Sequence, residues 1–252
     1  MTPISREPVL PWLQPGQPFP PVEQAWGPST GASGLLAAGA DLEPATLQAA
    51  YRQGIFPWYS EGQPILWWSP QPRMVLSPGR FRMHRSLRKS LQRFLGDARN
   101  EIRFDSAFEQ VIRRCSGTRR RHQAGTWITE EMIQAYLRLH ALGVAHSVET
   151  WLDGELVAGL YGLSIGRALF GESMFTQVSD GSKWALSALV VFALEHRIEM
   201  IDCQQNTAHL ASLGGQEIPR REFSAWLAKA TTEPTPRWEF NSVYWKHVSR
   251  LG

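Results

Sequence analysis

The stretch "YRQGIFPWYSEGQPILWWSPQPR", residues 51–73, constrains this chain more than any other part of it. Pro57, Pro64, Pro70 and Pro72 exclude a helix, because each removes a backbone donor and clashes with the turn before it. They also exclude a central strand, in which every N–H has to reach a neighbour. The segment is left to run as short proline-pinned pieces carrying Trp58, Trp67 and Trp68. Such rings can fill core space and anchor a rigid connection. They can equally form a platform of flat faces for something planar, such as a nucleic-acid base. The stretch by itself leaves both uses open.

Composition narrows the setting in which that segment works. A chain of 252 residues can hold one large domain or two small ones. With 43% hydrophobic and 19% charged residues it is a globular chain, not a disordered one. The longest apolar run, "ALSALVVFAL" at 185–194, is broken by Ser187 and too short to span a bilayer, so no membrane partner is expected. The proline-rich start lacks the apolar core of a secretory signal. Two cysteines, Cys115 and Cys203, make neither a disulfide framework nor a cysteine-rich zinc site. A cytoplasmic protein without a metal is the expectation. Charge is unevenly placed: residues 80–121 hold thirteen Arg or Lys against four Asp or Glu, although the whole chain carries only +3. Such segregation creates a field that favours a polyanion, and arginine-rich segments suit forked contacts to phosphate. A solvated helix face followed by a basic loop is the other reading of the same residues.

Along the chain, "DLEPATLQAAYRQG" reads as a short helix with Pro44 in its first turn, Gly54 past its end, and Leu47 and Tyr51 on its buried face. "PRMVLSP" reads as a strand. A helix over 85–95 should bury Leu87, Leu91 and Leu95 and turn Arg85, Arg88, Lys89 and Arg93 elsewhere. A further helix is expected over 105–115. Thr129 should cap a helix ending near Gly143, and Asp153-Gly154 should join two strands as a hairpin. "RALFGESMF" continues as a third strand, 182–197 as a helix buried on several sides, "EMIDCQQ" as a strand, and "PRREFSAWLAKA" as a last helix. An antiparallel meander, a crossing helix and another strand make an α+β fold with a mixed, largely antiparallel sheet.

The chain lacks a P-loop, a dinucleotide-binding G-x-G-x-x-G and an H-E-x-x-H. Core or capping roles suit His140 and His146. Polar groups do recur on two apolar strands. Asp202 and Gln204 alternate in "MIDCQQ" and should share a face, with Cys203 on the other, and Phe170, Glu172 and Met174 should share one in "FGESMF". An unpaired carboxylate among apolar neighbours costs several kcal/mol. Either neighbouring backbone and arginines satisfy these groups, or a cationic substrate does.

The words "GLLAAGADL", "YRQGIFPW", "ILWWSPQPR", "GTWIT", "VAHSVE", "FGESMF", "IDCQ" and "ASLGGQEIPR" follow one another in this order. Together, over residues 34–223, they closely resemble the bacterial leucyl/phenylalanyl-tRNA–protein transferases. The resemblance implies a small N-terminal domain (1–72) and a GNAT-like acyltransferase domain (73–252). It implies transfer of leucine or phenylalanine, and by extension methionine, from charged tRNA to the α-amine of proteins with N-terminal Arg or Lys, marking them for degradation. It implies no cofactor, since the aminoacyl ester is already activated. By the same resemblance Trp58 and Trp127 flank the terminal adenosine, Asp202, Gln204 and Glu172 are catalytic, and Leu160, Met174, Leu189 and Ile201 line the donor side-chain pocket. The basic segment, through Arg85, Arg88, Lys89, Arg119 and Arg120, then becomes a tRNA-backbone surface. Asp202 is expected to orient Gln204 and the amine, with proton acceptance the other role open to it. Glu172 is expected to hold a positive group, either the donor's ammonium or part of the acceptor. A monomer is the expected form. A CoA-dependent N-acetyltransferase of the same fold is the rival reading, but "TQVSDGSKWA" stands where its R/Q-x-x-G-x-G/A loop would be. A non-catalytic tRNA-binding protein is the other.

Overall fold

The computed structural model describes residues 9–117 and 128–251. Trp127, Arg119 and Arg120 lie outside the described residues.

The proline-pinned stretch folds into part of a small four-stranded sheet. Its strands are β1 (Trp12–Leu13), β2 (Leu35–Gly39), β3 (Phe56–Pro57) and β4 (Leu66–Trp68), in the order β1-β2-β4-β3. Prolines hold the strands short, and Pro57 sits on the edge strand, where a missing donor does no harm. Between β2 and β3 runs helix α1 (Pro44–Tyr51), started by Pro44. Leu47 and Tyr51, four apart, are fully buried as their spacing requires. From the proline-rich start of the chain, Phe19 is buried and meets the ring of Trp67 edge-on at 4.8 Å.

The chain then enters a seven-stranded sheet. Its elements are β5 (Arg73–Leu76), α2 (Arg85–Leu95), β6 (Asn100–Phe104), α3 (Phe108–Ser116), α4 (Glu130–Ala141), β7 (Ala145–Leu152), β8 (Glu155–Ile165), β9 (Ala168–Thr176), α5 (Gly181–Glu195), β10 (Ile201–Gln204), α6 (Ala208–Ser212), β11 (Gln216–Ile218) and α7 (Arg220–Ala230). The strand order is β11-β5-β10-β9-β8-β7-β6, antiparallel except for the parallel pair β9–β10. The mixed, largely antiparallel sheet expected from sequence is present. Thr129 caps α4 through its side chain, and Asp153 and Gly154 both take positive φ at the β7–β8 turn, as a tight hairpin needs. His140 and His146 are indeed structural: each bonds nearby backbone or carboxylate, and they stack on Phe108 and Trp238.

Each face of this sheet carries its own core. On one face α3, α4 and α7 pack with α1 and the small sheet into a continuous apolar cluster that includes Trp67, Tyr136, Tyr161, Phe170 and Phe223. On the other face α2, α5 and the C-terminal segment enclose Leu160, Leu169, Leu189 and Ile201. Helix α5 is buried almost all round, with Ala188, Val190, Val191, Phe192 and Ala193 inaccessible. In α2 the inward residues are Leu87, Leu91 and Phe94. The expected third member, Leu95, is 42% exposed, because a turn of 3.6 residues carries the stripe to position 94. Strand β6, unforeseen in the sequence, extends the sheet edge by pairing with β7.

Two irregularities in the ladders interrupt the regular alternation of the central strands. Between β8 and β9, Tyr161 faces Ser173 and Gly162 faces Gly171, so Glu172 is an extra residue with no partner. Between β10 and β5, Asp202 faces Val75 and Gln204 faces Met74, so Cys203 is the extra one. Such bulges re-aim side chains and gather beside functional sites. The first requires glycine opposite it: a Cβ on Gly162 would stand 2.1 Å from the carbonyl oxygen of Phe170. Gly162→Ala is therefore expected to lower unfolding free energy by about 1–3 kcal/mol, the usual range for overpacking. A urea titration that matches the wild type would show that the bulge tolerates a methyl group.

Candidate active site

The parallel pairing of β10 with β9 ends at Asp202 opposite Phe170. Beyond that pair the strands part, and a cavity of about 530 Å³ opens between residues 171–174 on one side and 203–205 on the other. A volume of this order suits a small ligand group rather than a solvent channel. Its apolar wall includes Leu160, Met174, Leu189 and Ile201, the four positions expected there, together with Leu186 and Leu210. Trp58, Glu172 and Gln204 stand on the same cavity. His209 lines it from α6, its ring held below the ordinary histidine range by burial first and by nearby Lys183 second.

The bulges decide which way the polar groups face. Phe170 belongs to the core that contains Tyr51 and Tyr136, and Glu172 bonds to those same two tyrosines. Met174 packs against the opposite core. The expectation that all three share a face therefore fails at the extra residue, which shifts the alternation by one. Asp202 and Gln204 do face the same side, toward Arg73 and Glu172, while Cys203 packs against the opposite core. Burial pushes the Cys203 thiol well up, so it stays protonated at neutral pH.

Asp202 does not line the cavity. Its carboxylate is fully buried and accepts two bonds from Arg73, from Nε at 2.8 Å and from Nη2 at 2.6 Å. It also accepts the backbone N–H of Gln204 at 2.9 Å. Arg73, itself inaccessible, donates through Nη1 to the carbonyl of Gly54 and lies between the rings of Phe56 and Phe223. Asp202 thus fixes the backbone of Gln204, which adopts a left-handed φ of 61°. The next residue, Gln205, donates its N–H to the Cys203 carbonyl at 2.7 Å, closing a tight turn around Gln204. Strain of this kind in a residue other than glycine costs about 1–3 kcal/mol and persists only where the surroundings impose it. Arg73 is a site residue that sequence reasoning passed over. Its signal was a lone arginine opening the apolar strand "RMVL", which needs a buried partner.

The Gln204 side chain donates to Glu172 Oε1 at 2.8 Å. Tyr51 donates to the same oxygen at 2.7 Å and Tyr136 to Oε2 at 3.2 Å, while the two phenol oxygens lie 2.5 Å apart. Burial pushes the Glu172 carboxyl up to about 7. The three donors oppose that rise, and the neighbouring Asp202 charge adds to it. Burial and the adjacent Glu172 likewise raise both phenols well above the ordinary tyrosine value. Tyr136 was not anticipated from sequence, since helical periodicity marks it only as a core position.

The three tryptophans of the proline-pinned stretch stand in different surroundings. Trp67 is fully buried and donates to the Gly39 carbonyl. Trp68 donates to the Trp58 carbonyl at 2.7 Å and meets the Trp58 ring edge-on at 5.4 Å. Trp58 is half-buried, with its indole on the cavity. The basic segment is also divided. Arg99, Arg103 and Arg113 pair with Asp97, Glu101, Glu109 and Glu130. Arg88 donates to the carbonyls of Val248 and Leu251, so it braces the C-terminal segment. Arg85, Lys89 and Arg93 recur every four residues on the exposed side of α2, with exposed Arg82 just before it. No ion pair joins these four to another described residue.

An apolar cavity that also carries a few polar and titratable groups is a candidate active site. Residues 75–228 match the family described as leucyl/phenylalanyl-tRNA protein transferase, and residues 40–71 match its N-terminal domain. A relative of that name from Polaromonas sp. is 58% identical over 239 residues, covering 95% of this chain and 94% of its own. Another, from Burkholderia pseudomallei, is 59% identical over 233 residues, covering 92% and 91%. The chain belongs to the leucyl/phenylalanyl-tRNA–protein transferase family, a family of aminoacyltransferases. Among solved structures, that of L-PGS from Bacillus licheniformis covers 70% of this chain and 57% of its own at 13% identity and a TM-score of 0.37, a likeness too slight to argue from.

Removing one member of a buried ion pair strands the other charge, at a cost of about 3–5 kcal/mol. Arg73→Met is expected to lose stability on that scale, and the double variant Arg73→Met/Asp202→Leu to regain most of it. Chemical denaturation of the three proteins checks this. A double variant no more stable than Arg73→Met would mean that the charges are needed for more than each other.

Proposed function

We propose that the protein moves leucine, phenylalanine or methionine from charged tRNA to the α-amine of proteins that begin with arginine or lysine. The observation that carries this reading is the cavity between β9 and β10, which has an apolar wall and carries Trp58, Glu172 and Gln204. Leu160, Met174, Leu189 and Ile201 take the donor side chain. Against that apolar wall the side chain is selected by shape, and branching at Cβ stiffens valine and isoleucine against it. Trp58 stacks on the terminal adenine, a contact worth about 1–3 kcal/mol, and Trp127 is assigned the other side of that base. Gln204 orients the ester carbonyl or the incoming amine through its amide. Asp202 acts through Gln204 rather than on substrate, since its oxygens are engaged by Arg73 and by the backbone. Attack by the neutral amine forms the peptide bond and releases the ribose oxygen as a hydroxyl.

Arg85 and Lys89, joined by Arg82 and Arg93, supply a row of cations for the tRNA backbone. Arg119 and Arg120 are assigned to the same surface. The parting of a parallel strand pair around an acyl site supports the GNAT-like description of the domain over 73–252. The passage from one sheet to the other between Trp68 and Arg73 supports a small N-terminal domain ending at residue 72. We place the enzyme in the cytoplasm, as a monomer, where charged tRNA is available.

The test is to incubate the protein with labelled Leu-tRNA and a peptide beginning with arginine and to follow the label. Transfer to the peptide is expected, and binding of the tRNA with the ester left intact would overturn the reading. Each phosphate contact removed should lower the slope of log K against log salt by about 0.7–0.9. Changing Arg82, Arg85, Lys89 and Arg93 to alanine should therefore flatten that slope by roughly 3, whereas Arg88→Ala should lower the melting temperature and leave the slope nearly unchanged. Equal slopes for wild type and the fourfold variant would make the row a solvated helix face.

A further inference from the structure

Transfer to an amine needs a proton acceptor, because the α-ammonium of a peptide has no lone pair until it loses a proton. Asp202 is badly placed for this: it is fully buried, paired with Arg73 and absent from the cavity wall. Glu172 stands on the cavity, and no cation pairs with it among the described residues. Behind it, three oxygen contacts link Glu172, Tyr51 and Tyr136, at 2.5, 2.7 and 3.2 Å. Two phenol hydrogens cannot fill three contacts. With Glu172 ionised, both phenols donate to it and the short contact between them holds no proton. With one proton added to the carboxyl, each of the three groups donates once and accepts once, and the triangle closes as a ring.

We propose that Glu172 is the base that takes the proton from the acceptor's α-ammonium, and that Tyr51 and Tyr136 are positioning residues that hold its carboxylate and keep this proton easy to release. The inference rests on the aminoacyl-transfer reading of the same cavity. One proton passes from the ammonium to the Glu172 carboxylate. The nitrogen lone pair then attacks the ester carbonyl carbon, forming the C–N bond. As the C–O bond to the ribose breaks, the second proton lost by nitrogen goes to the leaving oxygen, and Glu172 returns its proton to water. No oxidant, metal or cofactor enters this balance.

The proton affinities suit the task. An α-amine titrates near ~8, so transfer to a carboxyl at about 7 is only about tenfold uphill. Transfer to an ordinary glutamate would be more than about a thousandfold uphill. The groups that set this value come from every element around the carboxyl. Tyr51 comes from α1, Tyr136 from α4 with Tyr59 close to it, and Gln204 and Asp202 from β10. Arg73 on β5 stands behind Asp202 and faces away, and Tyr161 on β8 meets Tyr136 edge-on at 5.6 Å. Charge-assisted bonds from the phenols favour the ionised carboxyl more than the neutral one. Loss of either hydroxyl should therefore raise the value further.

The experiment measures single-turnover transfer from saturating Leu-tRNA to a saturating arginyl peptide between pH 5.5 and pH 9. Wild-type transfer at any pH establishes the reading on which the proposal rests, and its complete absence defeats that reading and not only this step. The rate should rise about tenfold per pH unit on its acid side and level off as the base ionises. Tyr51→Phe and Tyr136→Phe should move this limb to higher pH while the peptide's own amine is unchanged. Glu172→Gln should lose about 10²–10³ in rate with little loss of tRNA affinity. An acceptor with an N-terminal aminooxy group, neutral throughout this range, should recover most of that loss, which a merely structural defect would not. The proposal is overturned if both phenylalanine variants keep the wild-type limb, or if Glu172→Gln is equally impaired with both acceptors. It is also overturned if the chief defect of Glu172→Gln is weaker binding of Leu-tRNA, since Glu172 would then be holding the donor's ammonium.

Discussion

The pairing of Arg73 with Asp202 is the interaction on which the rest of the site depends. Both side chains are inaccessible, and each would be severely unfavourable there alone. Together with the Gly54 carbonyl and the rings of Phe56 and Phe223 they tie five parts of the chain to one point: β5, β10, the turn after α1, β3 and α7. The turn cooperates through Gly54, whose φ of 74° is one that other residues rarely adopt, and whose missing Cβ would lie 2.8 Å from the Phe223 ring. With those five parts fixed, the second oxygen-bound partner of Asp202, the backbone of Gln204, is fixed as well. The Gln204 amide on the cavity is therefore aimed from behind, by a charge that is itself inaccessible to solvent.

The sheet supplies the opening and the bulges supply its chemistry. A parallel pair in the middle of an antiparallel sheet has to end somewhere, and here it ends after two residue pairs. The strands diverge beyond it, and the space is filled by neither core. An unbroken alternation in β9 would place Glu172 and Met174 on the same side. One extra residue gives the cavity both a carboxylate bonded into the tyrosine-bearing face and a thioether on the leucine-bearing face. The tyrosines come from helices distant in sequence, 85 residues apart, and meet only because α1 and α4 pack on the same face.

Much of this was legible from the chain. The helical stripes of α2, α4 and α5, the hairpin at Asp153-Gly154 and the strands around Glu172 and Asp202 follow from period and turn chemistry, which are local. The four apolar positions assigned to the pocket came from family resemblance, and the structure brings all four to one cavity. What stayed hidden is what distance in sequence conceals. No local pattern tells Asp202 that its partner is Arg73, 129 positions away, or tells Tyr136 that it will reach Glu172. A bulge leaves no mark in a pattern of apolar residues, so strict alternation puts Met174 on the wrong side of its strand. Charge counting fails in a similar way: among the described residues of the segment, Arg88, Arg99, Arg103 and Arg113 are answered by carboxylates or carbonyls.

The cations that remain show how one helix serves two needs. In α2 the residues at 87, 91 and 94 fill the core while those at 85, 89 and 93 face outward, because a 3.6-residue turn separates the two rows. Three like charges four residues apart repel one another along a helix, by a few tenths of a kcal/mol per pair. Their row is tolerated only on a helix held by other means, and Arg88 provides one by gripping the C-terminal segment at Val248 and Leu251. That segment in turn packs Trp238, Phe240 and Tyr244 against Phe104 and Phe192. The last residues of the chain therefore stabilise the helix whose exposed side carries Arg85, Lys89 and Arg93, and a polyanion would relieve the repulsion along it.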